Sequence, residues 1–299
     1  MTGPAPDWIA VDWGTTHLRL WHMAADGTVL ARINDDRGVN RLHRDDFAPT
    51  LAALAPAGHA RMPVVICGMA GSRQGWAEAP YAKVPCTPPG IAQATALQSG
   101  AFDAHILPGV RQDSPADVMR GEETQIAGFL AQDPGFDGVL CLPGTHTKWV
   151  HLSAGEIVSF RTFMTGELFA LLSQQSVLRH CVAEDGWDDA AFTEALGDIQ
   201  RQPADLAARL FSLRAERLLH DLPPHSARAR LSALLIGSEL VAARPYWLGQ
   251  NVVVAGSGGF AQAYQTALKM QGVQARAIDA DPLTLAGLRA AYQTLTRTP

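Results

Sequence analysis

The chain has 299 residues, of which 47% are hydrophobic and 18% charged, so it is long enough for two domains with substantial cores. Its 24 basic and 29 acidic residues give a net charge of −5, which supplies no basic surface for nucleic acid or an anionic membrane. Met1 to Asp7 lacks the pattern of a signal peptide, and no apolar run is long enough to span a bilayer. We therefore expect a cytoplasmic globular protein that binds neither nucleic acid nor membrane.

The cysteines support the same expectation. Cys67, Cys86, Cys141 and Cys181 are widely separated and show no metal-ligand spacing. They are predicted to be reduced and mostly buried thiols.

The first half of the chain reads as strands followed by alternating helices and strands. Trp8 to Val11, Leu18 to His22 and Thr28 to Ile33 are predicted strands, and the last two are joined by an Asp-Gly turn. A helix is expected over Phe47 to Leu54, strands over Val64 to Cys67 and Ala104 to Leu107, and a further helix from about Glu122.

The second half begins with the same pattern. Gly138 to Leu142, Lys148 to Leu152 and Glu156 to Phe160 are again three predicted strands in succession. Helices are predicted for Ala204 to Leu222 and Ser226 to Ala243, then a strand over Asn251 to Ala255, a helix ending near Met270 and a last helix within Pro282 to Leu295. The repetition predicts a structural duplication, with domains at 1–134 and 135–299 and a last helix that can pack back on the first domain.

The first candidate binding segment lies between two predicted strands. In the segment Asp12-Trp13-Gly14-Thr15-Thr16, the glycine allows close approach of backbone to a phosphate, and the threonine hydroxyls can donate to it. Asp12 can hold hydrated Mg²⁺, and Arg19 can reach the same phosphate. The structural alternative is an ordinary glycine-centred hairpin, and these residues alone do not separate the two.

The second candidate occupies the equivalent place in the second half. Leu142 to Trp149 contains Gly144 and Thr145 in a predicted turn, and Lys148 adds a compact positive charge. Two such hairpins, one in each half, predict that a polyphosphate is gripped from both sides.

A third segment runs from a strand through glycines into a helix. Gly256, Ser257, Gly258 and Gly259 leave no bulky side chain in the way of a nucleotide base or ribose. Such junctions are also common packing features, so only the position after two phosphate-type hairpins favours nucleotide binding.

Acidic residues precede the predicted domain boundary. Glu122 and Glu123 stand at the start of a predicted helix, where the helix dipole favours carboxylates in any case. The functional interpretation makes one of them, or Asp117, a catalytic base or a group that orients the metal.

The segment Cys67 to Trp76 is the candidate acceptor loop. Arg73 and Trp76 suit a carboxylate and the face of a sugar, respectively, although a purely structural loop explains them as well. Arg161 and Thr165 are candidates for the opposite wall of the pocket.

Together the three glycine-containing motifs resemble the phosphate-1, phosphate-2 and adenosine elements of the actin, hexokinase and Hsp70 superfamily. The resemblance implies an α/β fold: a duplicated, actin-like ATPase (ribonuclease H-like) fold of two domains with an interdomain nucleotide cleft. The strings DWGTTHLR (from Asp12), CGMAGSRQGW (from Cys67), RGEETQ (from Arg120) and LPGTHTKW (from Leu142) more narrowly resemble the 2-dehydro-3-deoxygalactonokinase family.

Members of that family phosphorylate the C6 hydroxyl of a small sugar acid, 2-dehydro-3-deoxy-D-galactonate, with ATP and Mg²⁺ in D-galactonate catabolism. The resemblance implies that the two hairpins cradle the phosphates and metal, that the late glycines hold adenosine, and that the acid lies near Arg73 and Trp76. The residues carried over to the hairpins and the glycine junction are Asp12, Gly14, Thr15, Thr16, Gly144, Thr145, Lys148 and Gly256 to Gly259.

One departure concerns the base. Leu142-Pro143 stands where the superfamily often has an acidic residue, so the base is expected elsewhere. The Gly-Glu-Glu segment resembles one that carries a catalytic glutamate in exopolyphosphatases, which favours Glu122, with Glu123 and Asp117 as alternatives.

Two rival functions remain open: a phosphoanhydride hydrolase of the same fold, and a noncatalytic, nucleotide-gated sugar-binding regulator. The sequence decides neither the galacto or gluco preference nor the oligomeric state, for which a homodimer is one possibility.

Overall fold

A computed structural model describes residues 5–56, 61–100 and 102–297. The chain forms two compact units that are not continuous segments. Unit 1 comprises Met1–Phe136, Ser153–Ser159 and Ala280–Pro299, and unit 2 comprises Asp137–Leu152 and Phe160–Asp279. In the described residues, no helix is long and apolar enough to cross a membrane.

The strands and helices are numbered in chain order. The strands are β1 (Trp8–Trp13), β2 (Leu18–Met23), β3 (Val29–Asp35), β4 (Met62–Gly68), β5 (Tyr81–Lys83), β6 (Thr95–Ser99), β7 (Phe102–Ile106), β8 (Gly109–Asp113), β9 (Ala116–Met119), β10 (Gly138–Leu142), β11 (Thr147–Ser153), β12 (Glu156–Phe163), β13 (Val252–Ala255) and β14 (Arg276–Ile278). The α-helices are α1 (Phe47–Leu54), α2 (Glu122–Gln132), α3 (Thr165–Gln174), α4 (Asp189–Arg201), α5 (Leu206–Leu219), α6 (Pro224–Ala242), α7 (Arg244–Trp247), α8 (Gly258–Met270) and α9 (Asp281–Arg297). Short 3₁₀ helices lie at Val39–Arg41, Arg44–Asp46, Met69–Gly71, Ile91–Gln93, Val177–His180 and Pro203–Asp205.

The main sheet of unit 1 has the strand order β3-β2-β1-β4-β7-β6. β1 pairs antiparallel with β2 and parallel with β4, and β4 pairs parallel with β7. Both faces of β1 are buried, which explains why it reads as a continuous apolar run rather than an alternating one. Because β1 and β4 are parallel, their carboxyl ends, Trp13 and Gly68, lie at the same edge of the sheet.

The second sheet, β12-β11-β10-β13-β14, repeats the first five positions of this order, and β6 of the first sheet has no counterpart in it. β10 pairs antiparallel with β11 and parallel with β13, which in turn pairs parallel with β14. Each sheet thus has three consecutive strands that precede two parallel additions. This confirms the predicted duplication and the actin-like ATPase fold class.

Helices α2 and α9 pack with their backbones in close contact in unit 1. A Cβ placed on Gly128 would lie 2.9 Å from the nitrogen of Gly287, and one on Gly287 would lie 2.9 Å from the carbonyl carbon of Thr124. Trp8 stacks on Tyr292 of α9, with ring centroids 4.2 Å apart. Helix α9 therefore fixes α2, whose first residue is Glu122, against the sheet.

Several elements differ from the sequence-based expectations. The small sheet β5-β8-β9 was not predicted from the sequence, and neither were β6, β14, α3 and α4. The extra strands are only three to five residues long, too short for a clear period. The predicted helix Ala204 to Leu222 is shorter, because Pro203–Asp205 forms a 3₁₀ turn before α5.

Candidate functional site

Hairpin 1, which joins β1 to β2, is a tight turn held by its backbone. The Gly14 N–H donates to the His17 carbonyl oxygen at 2.9 Å. The carbonyl oxygens of Gly14 and Thr15 accept from the N–H groups of Val39 and Asn40, each at 3.0 Å. This leaves the side chains of Thr15 and Thr16 exposed on a rigid frame.

A cavity of about 630 Å³ opens beside hairpin 1. Its lining is rich in oxygen donors, which is the ligand chemistry that Mg²⁺ prefers. The donors come from hairpin 1 and the end of β3: Asp12, Thr16, Asn34, Asp35 and Asp36. In the described part of the chain, no group of three or more His, Cys, Asp and Glu side chains is arranged as a metal site.

Arg19 is held by two carboxylates. Its Nε lies 3.0 Å from Asp12 Oδ2, and its Nη1 lies 2.8 Å from Asp281 Oδ1 at the start of α9. Arg19 was predicted to approach a phosphate, and it lines the cavity beside hairpin 1. Its guanidinium also orients Asp12.

The end of β4, hairpin 1 and the start of α2 meet at one point of unit 1. A Cβ on Gly68 would lie 2.7 Å from the Trp13 carbonyl oxygen and 3.3 Å from Asp12 Oδ1. A Cβ on Gly121 would lie 3.5 Å from the Gly68 Cα. Both glycines have φ near +90 to +110°, where a side chain is strained. These glycines bring the Gly-Glu-Glu segment next to Asp12.

Glu122 and Glu123 have different surroundings. The Glu123 side chain is buried, with 1% exposure, and both of its carboxylate oxygens accept from the Gly121 N–H at 2.8 Å. Burial, and then the neighbouring Glu122 charge, raise the pKa of Glu123 to about 7. Glu122 is half-buried and accepts from the Arg120 N–H at 3.2 Å. Of the two carboxylates, Glu122 is the more exposed.

Asp117 lies in β9, within the small sheet, and accepts from the Val118 N–H at 2.8 Å. Its register partner in β8 is Gln112. Asp117 therefore belongs to a hairpin strand and not to the turn that leads into α2.

The predicted acceptor loop is arranged differently from the expectation. Trp76 is 9% exposed and packs in the core, with its ring centroid 6.1 Å from that of Phe47 and 6.2 Å from that of Trp13. This burial argues against the predicted stacking of Trp76 on a sugar. The Arg73 side chain is 81% exposed, with its Nε 3.6 Å from Glu78 Oε1.

Hairpin 2, which joins β10 to β11, is seated on the first turn of α3. The Glu167 N–H donates to the Thr145 carbonyl oxygen at 2.9 Å, and His146 Nε2 lies 2.5 Å from Glu167 Oε2. A Cβ on Gly166 would be 2.9 Å from the Thr145 Cα. Lys148, expected to point its charge at a phosphate, is 3% exposed and donates to the His146 carbonyl oxygen at 3.2 Å. Lys148 thus supports the hairpin from within.

A cavity of about 850 Å³ in unit 2 runs from hairpin 2 to the start of α8. Gly144 and Thr145 line it at one place and Gly259 at another. Gly258, the first residue of α8, has φ +69°, and Gly256 has no room for a side chain because a Cβ would lie 2.9 Å from that of Ala261. Hairpin 2 and the predicted glycine junction therefore share one cavity.

The aromatic and charged walls of this cavity were not predicted from the sequence. They are supplied by Phe169, Glu184, Asp185, Trp187, Arg228 and Phe260. The Arg228 guanidinium lies 5.1 Å from the Phe169 ring centroid, and Trp187 lies on an exposed loop before α4. Helical periodicity does not reveal which face of a helix borders a cavity. The Gly186-Trp187 pair was the only local signal.

The two remaining predicted substrate residues lie in unit 2. Arg161 is exposed, and its guanidinium carbon lies 5.5 Å from the Phe163 ring centroid. Thr165 is buried and donates its hydroxyl to Glu239. Thr165 is therefore engaged inside the unit, which argues against a direct role in binding the acceptor.

Comparison with known proteins gives a consistent family. A family model for 2-keto-3-deoxy-galactonokinase matches residues 12–291. A Rhizobium meliloti protein named as a probable 2-dehydro-3-deoxygalactonokinase is 42% identical over 96% of both chains. The Escherichia coli 2-dehydro-3-deoxygalactonokinase is 37% identical, over 94% of this chain and 96% of its own.

Solved structures agree. The crystal structure of a Sinorhizobium meliloti protein assigned as a 2-dehydro-3-deoxygalactonokinase matches with a TM-score of 0.88 and 42% identity over 98% of both chains. A Clostridium difficile activator of 2-hydroxyisocaproyl-CoA dehydratase, solved with ADPNP, matches with a TM-score of 0.52 and 10% identity over 97% of this chain and 96% of its own, a likeness of fold alone. By the extent of these matches, the chain belongs to the 2-keto-3-deoxygalactonokinase family.

Proposed function

We propose that this chain phosphorylates the C6 hydroxyl of 2-dehydro-3-deoxy-D-galactonate with ATP, giving 2-dehydro-3-deoxy-6-phospho-D-galactonate and ADP in D-galactonate catabolism. The observation that carries the proposal is the family match, which spans both hairpins and the glycine junction. Membership of a kinase family implies ATP as the phosphoryl donor.

The cavity of unit 2 is suited to the nucleoside end of ATP. Its volume, about 850 Å³, is that of an ordinary small-ligand site, and aromatic side chains supply flat apolar walls. Gly259 leaves the backbone open to the ribose or base. The backbone of hairpin 2, at Gly144 and Thr145, lines the same cavity and would contact the phosphates of the bound nucleotide. In this proposal Ser257 and Gly256 maintain the shape of the junction.

Hairpin 1 is suited to a phosphate and its metal. Thr15 and Thr16 offer exposed hydroxyls, and Gly14 permits close approach of the backbone. Asp12, oriented by Arg19, would hold hydrated Mg²⁺, because Mg²⁺ is usually bound through one or two carboxylates together with substrate phosphates. When bound, the ion would neutralise the charge on the transferred phosphoryl group.

Glu122 is the proposed base. It stands at the start of α2, beside the junction of Gly68 and Gly121 that adjoins Asp12. A half-buried carboxylate there can orient the acceptor hydroxyl and take its proton late in the transfer. Glu123 instead caps the Gly121 N–H, so its role is to hold the turn that presents Glu122.

Arg73 is the proposed ligand for the acid group of the acceptor. Its guanidinium is exposed, and its contact with Glu78 at 3.6 Å is loose enough to exchange for a substrate carboxylate. Trp76 anchors the same loop in the core. The four free cysteines are in keeping with a reducing compartment such as the cytoplasm, where we place the reaction.

The product identifies the reaction. Purified enzyme, Mg·ATP and 2-dehydro-3-deoxy-D-galactonate should give a new phosphomonoester whose ³¹P signal couples to the two C6 protons. ADP and inorganic phosphate as the only new signals, with no phosphomonoester, would indicate a hydrolase instead. A phosphoester at another carbon would refute the assigned acceptor hydroxyl.

A further inference from the structure

Glu239, on α6, is a buried carboxylate that the proposed mechanism does not use. Glu239 is 3% exposed, and its carboxylate accepts hydrogen bonds from two hydroxyl groups and one indole N–H. Trp149 Nε1 donates to Oε1 at 2.7 Å. The Tyr264 hydroxyl donates to Oε2 at 2.7 Å, and the Thr165 hydroxyl donates to the same oxygen.

The three donors come from three different elements. Trp149 lies in β11, Thr165 is the first residue of α3, and Tyr264 lies in α8. Because the Tyr264 hydroxyl proton points to Glu239, Thr147 of β11 is the donor in the 3.0 Å contact between the Thr147 and Tyr264 hydroxyls. Glu239 therefore ties β11, α3 and α8 together through one carboxylate.

The first residues of each of these elements lie next to the proposed nucleotide cavity. β11 begins immediately after hairpin 2, and the first turn of α3 supports hairpin 2 through the bond from Glu167 to Thr145. α8 begins at Gly258 and Gly259, and Gly259 lines the same cavity. Glu239 is thus hydrogen-bonded to elements that reach both ends of the cavity.

We infer that Glu239 is a positioning residue that fixes hairpin 2 and the start of α8 in the geometry that binds the nucleotide. The inference rests on the proposed nucleotide role of this cavity. It predicts that removal of the carboxylate weakens nucleotide binding, because the three buried donors lose their acceptor and the elements that carry them relax. It also predicts that an isosteric group able to bond the same partners restores binding.

The test measures the dissociation constant of Mg·ADPNP by calorimetry, so it does not depend on the identity of the sugar acid. Glu239→Leu should raise the dissociation constant at least about tenfold, and Glu239→Gln should stay within about threefold of the wild type. Glu216→Gln is the matched control. It weakens a two-bond ion pair with Arg230 between α5 and α6, and neither residue lines the proposed nucleotide cavity.

Thr165→Val keeps the interpretation clear if Glu239→Leu fails to fold. This variant removes one donor at constant shape, and we expect a rise of at least about threefold in the dissociation constant. Folded Glu239→Leu or Thr165→Val with wild-type affinity would overturn the inference. An equal loss of affinity in Glu216→Gln would also overturn it, since general destabilisation would then be the cause. Tight Mg·ADPNP binding without sugar-acid turnover would count against the proposed reaction only.

Discussion

Replacement of Gly166 by alanine should have opposite effects on the stability of α3 and on the position of hairpin 2. Gly166 is the second residue of α3, and its φ is not in the left-handed region, so helix propensity alone predicts that alanine stabilises the protein by about 0.5–1 kcal/mol. The added Cβ would, however, lie 2.9 Å from the Thr145 Cα and closer still to the Gly144 carbonyl oxygen. Both atoms are backbone of hairpin 2 and cannot swing away.

The size of the effect follows from these distances. Ordinary contact for a Cβ begins at 3.4 Å, and the Gly144 carbonyl oxygen would lie about 1 Å inside that limit. Hairpin 2 or α3 must therefore move by about 1 Å. A displacement of about 1 Å at a substrate-positioning segment can reduce the rate about a hundredfold. We expect Gly166→Ala to lower kcat/KM for ATP by about that factor, with the bond from Glu167 to Thr145 strained.

The assay is coupled ADP release at varied ATP, together with thermal unfolding. Gly197→Ala is the matched control, because Gly197 lies inside α4 and its nearest neighbour is the flexible end of Arg201 at 3.5 Å. Gly197→Ala should raise Tm and leave the kinetics unchanged. If Gly166→Ala behaved in the same way, α3 would not set the position of hairpin 2.

Three further predictions concern carboxylates. Glu122→Gln should lower kcat by about 10²–10⁴ with KM for ATP within about threefold in steady-state kinetics, and an unchanged kcat would exclude Glu122 as the base. Asp12→Asn should raise the Mg²⁺ concentration for half-maximal rate at least about tenfold in a metal titration, whereas an unchanged requirement would remove Asp12 as the metal ligand. Burial raises the pKa of Glu239 to about 7, so its stabilising contribution is complete below its ordinary pKa and is lost as the pH rises through 7. The unfolding free energy of Glu239→Gln minus that of the wild type should therefore increase by roughly 3 kcal/mol from pH 4.5 to pH 8, as measured by denaturant titration. A difference that does not change with pH would contradict this.

The repeated strand pattern was visible in the sequence because it is carried by apolar runs and glycine turns. The predicted strands Gly138 to Leu142 and Lys148 to Leu152 pair with each other along their whole length, as β10 and β11. Hairpin 1 and hairpin 2 were likewise recognisable, since a Gly-Thr pair follows a predicted apolar strand in each half of the chain.

The burial of the side chains that flank these turns could not be predicted in the same way. Trp76 and Lys148 look like ligands in the sequence, yet both are buried, and Trp76 packs on Phe47, which is distant in the chain. The burial of Glu239 could not be predicted, because a single acidic residue in an apolar helix is usually at the surface. It is buried here because α3, α8 and β11 pack against it. Such partners are set by tertiary packing and not by local sequence.

Acceptor dependence of ADP release tests the central claim most directly. Purified enzyme with Mg·ATP should release ADP with 2-dehydro-3-deoxy-D-galactonate at a rate far above that with no acceptor, and a parallel reaction with the gluco epimer would define the stereochemical preference. Equal release with and without the sugar acid would contradict the kinase assignment and indicate a phosphoanhydride hydrolase.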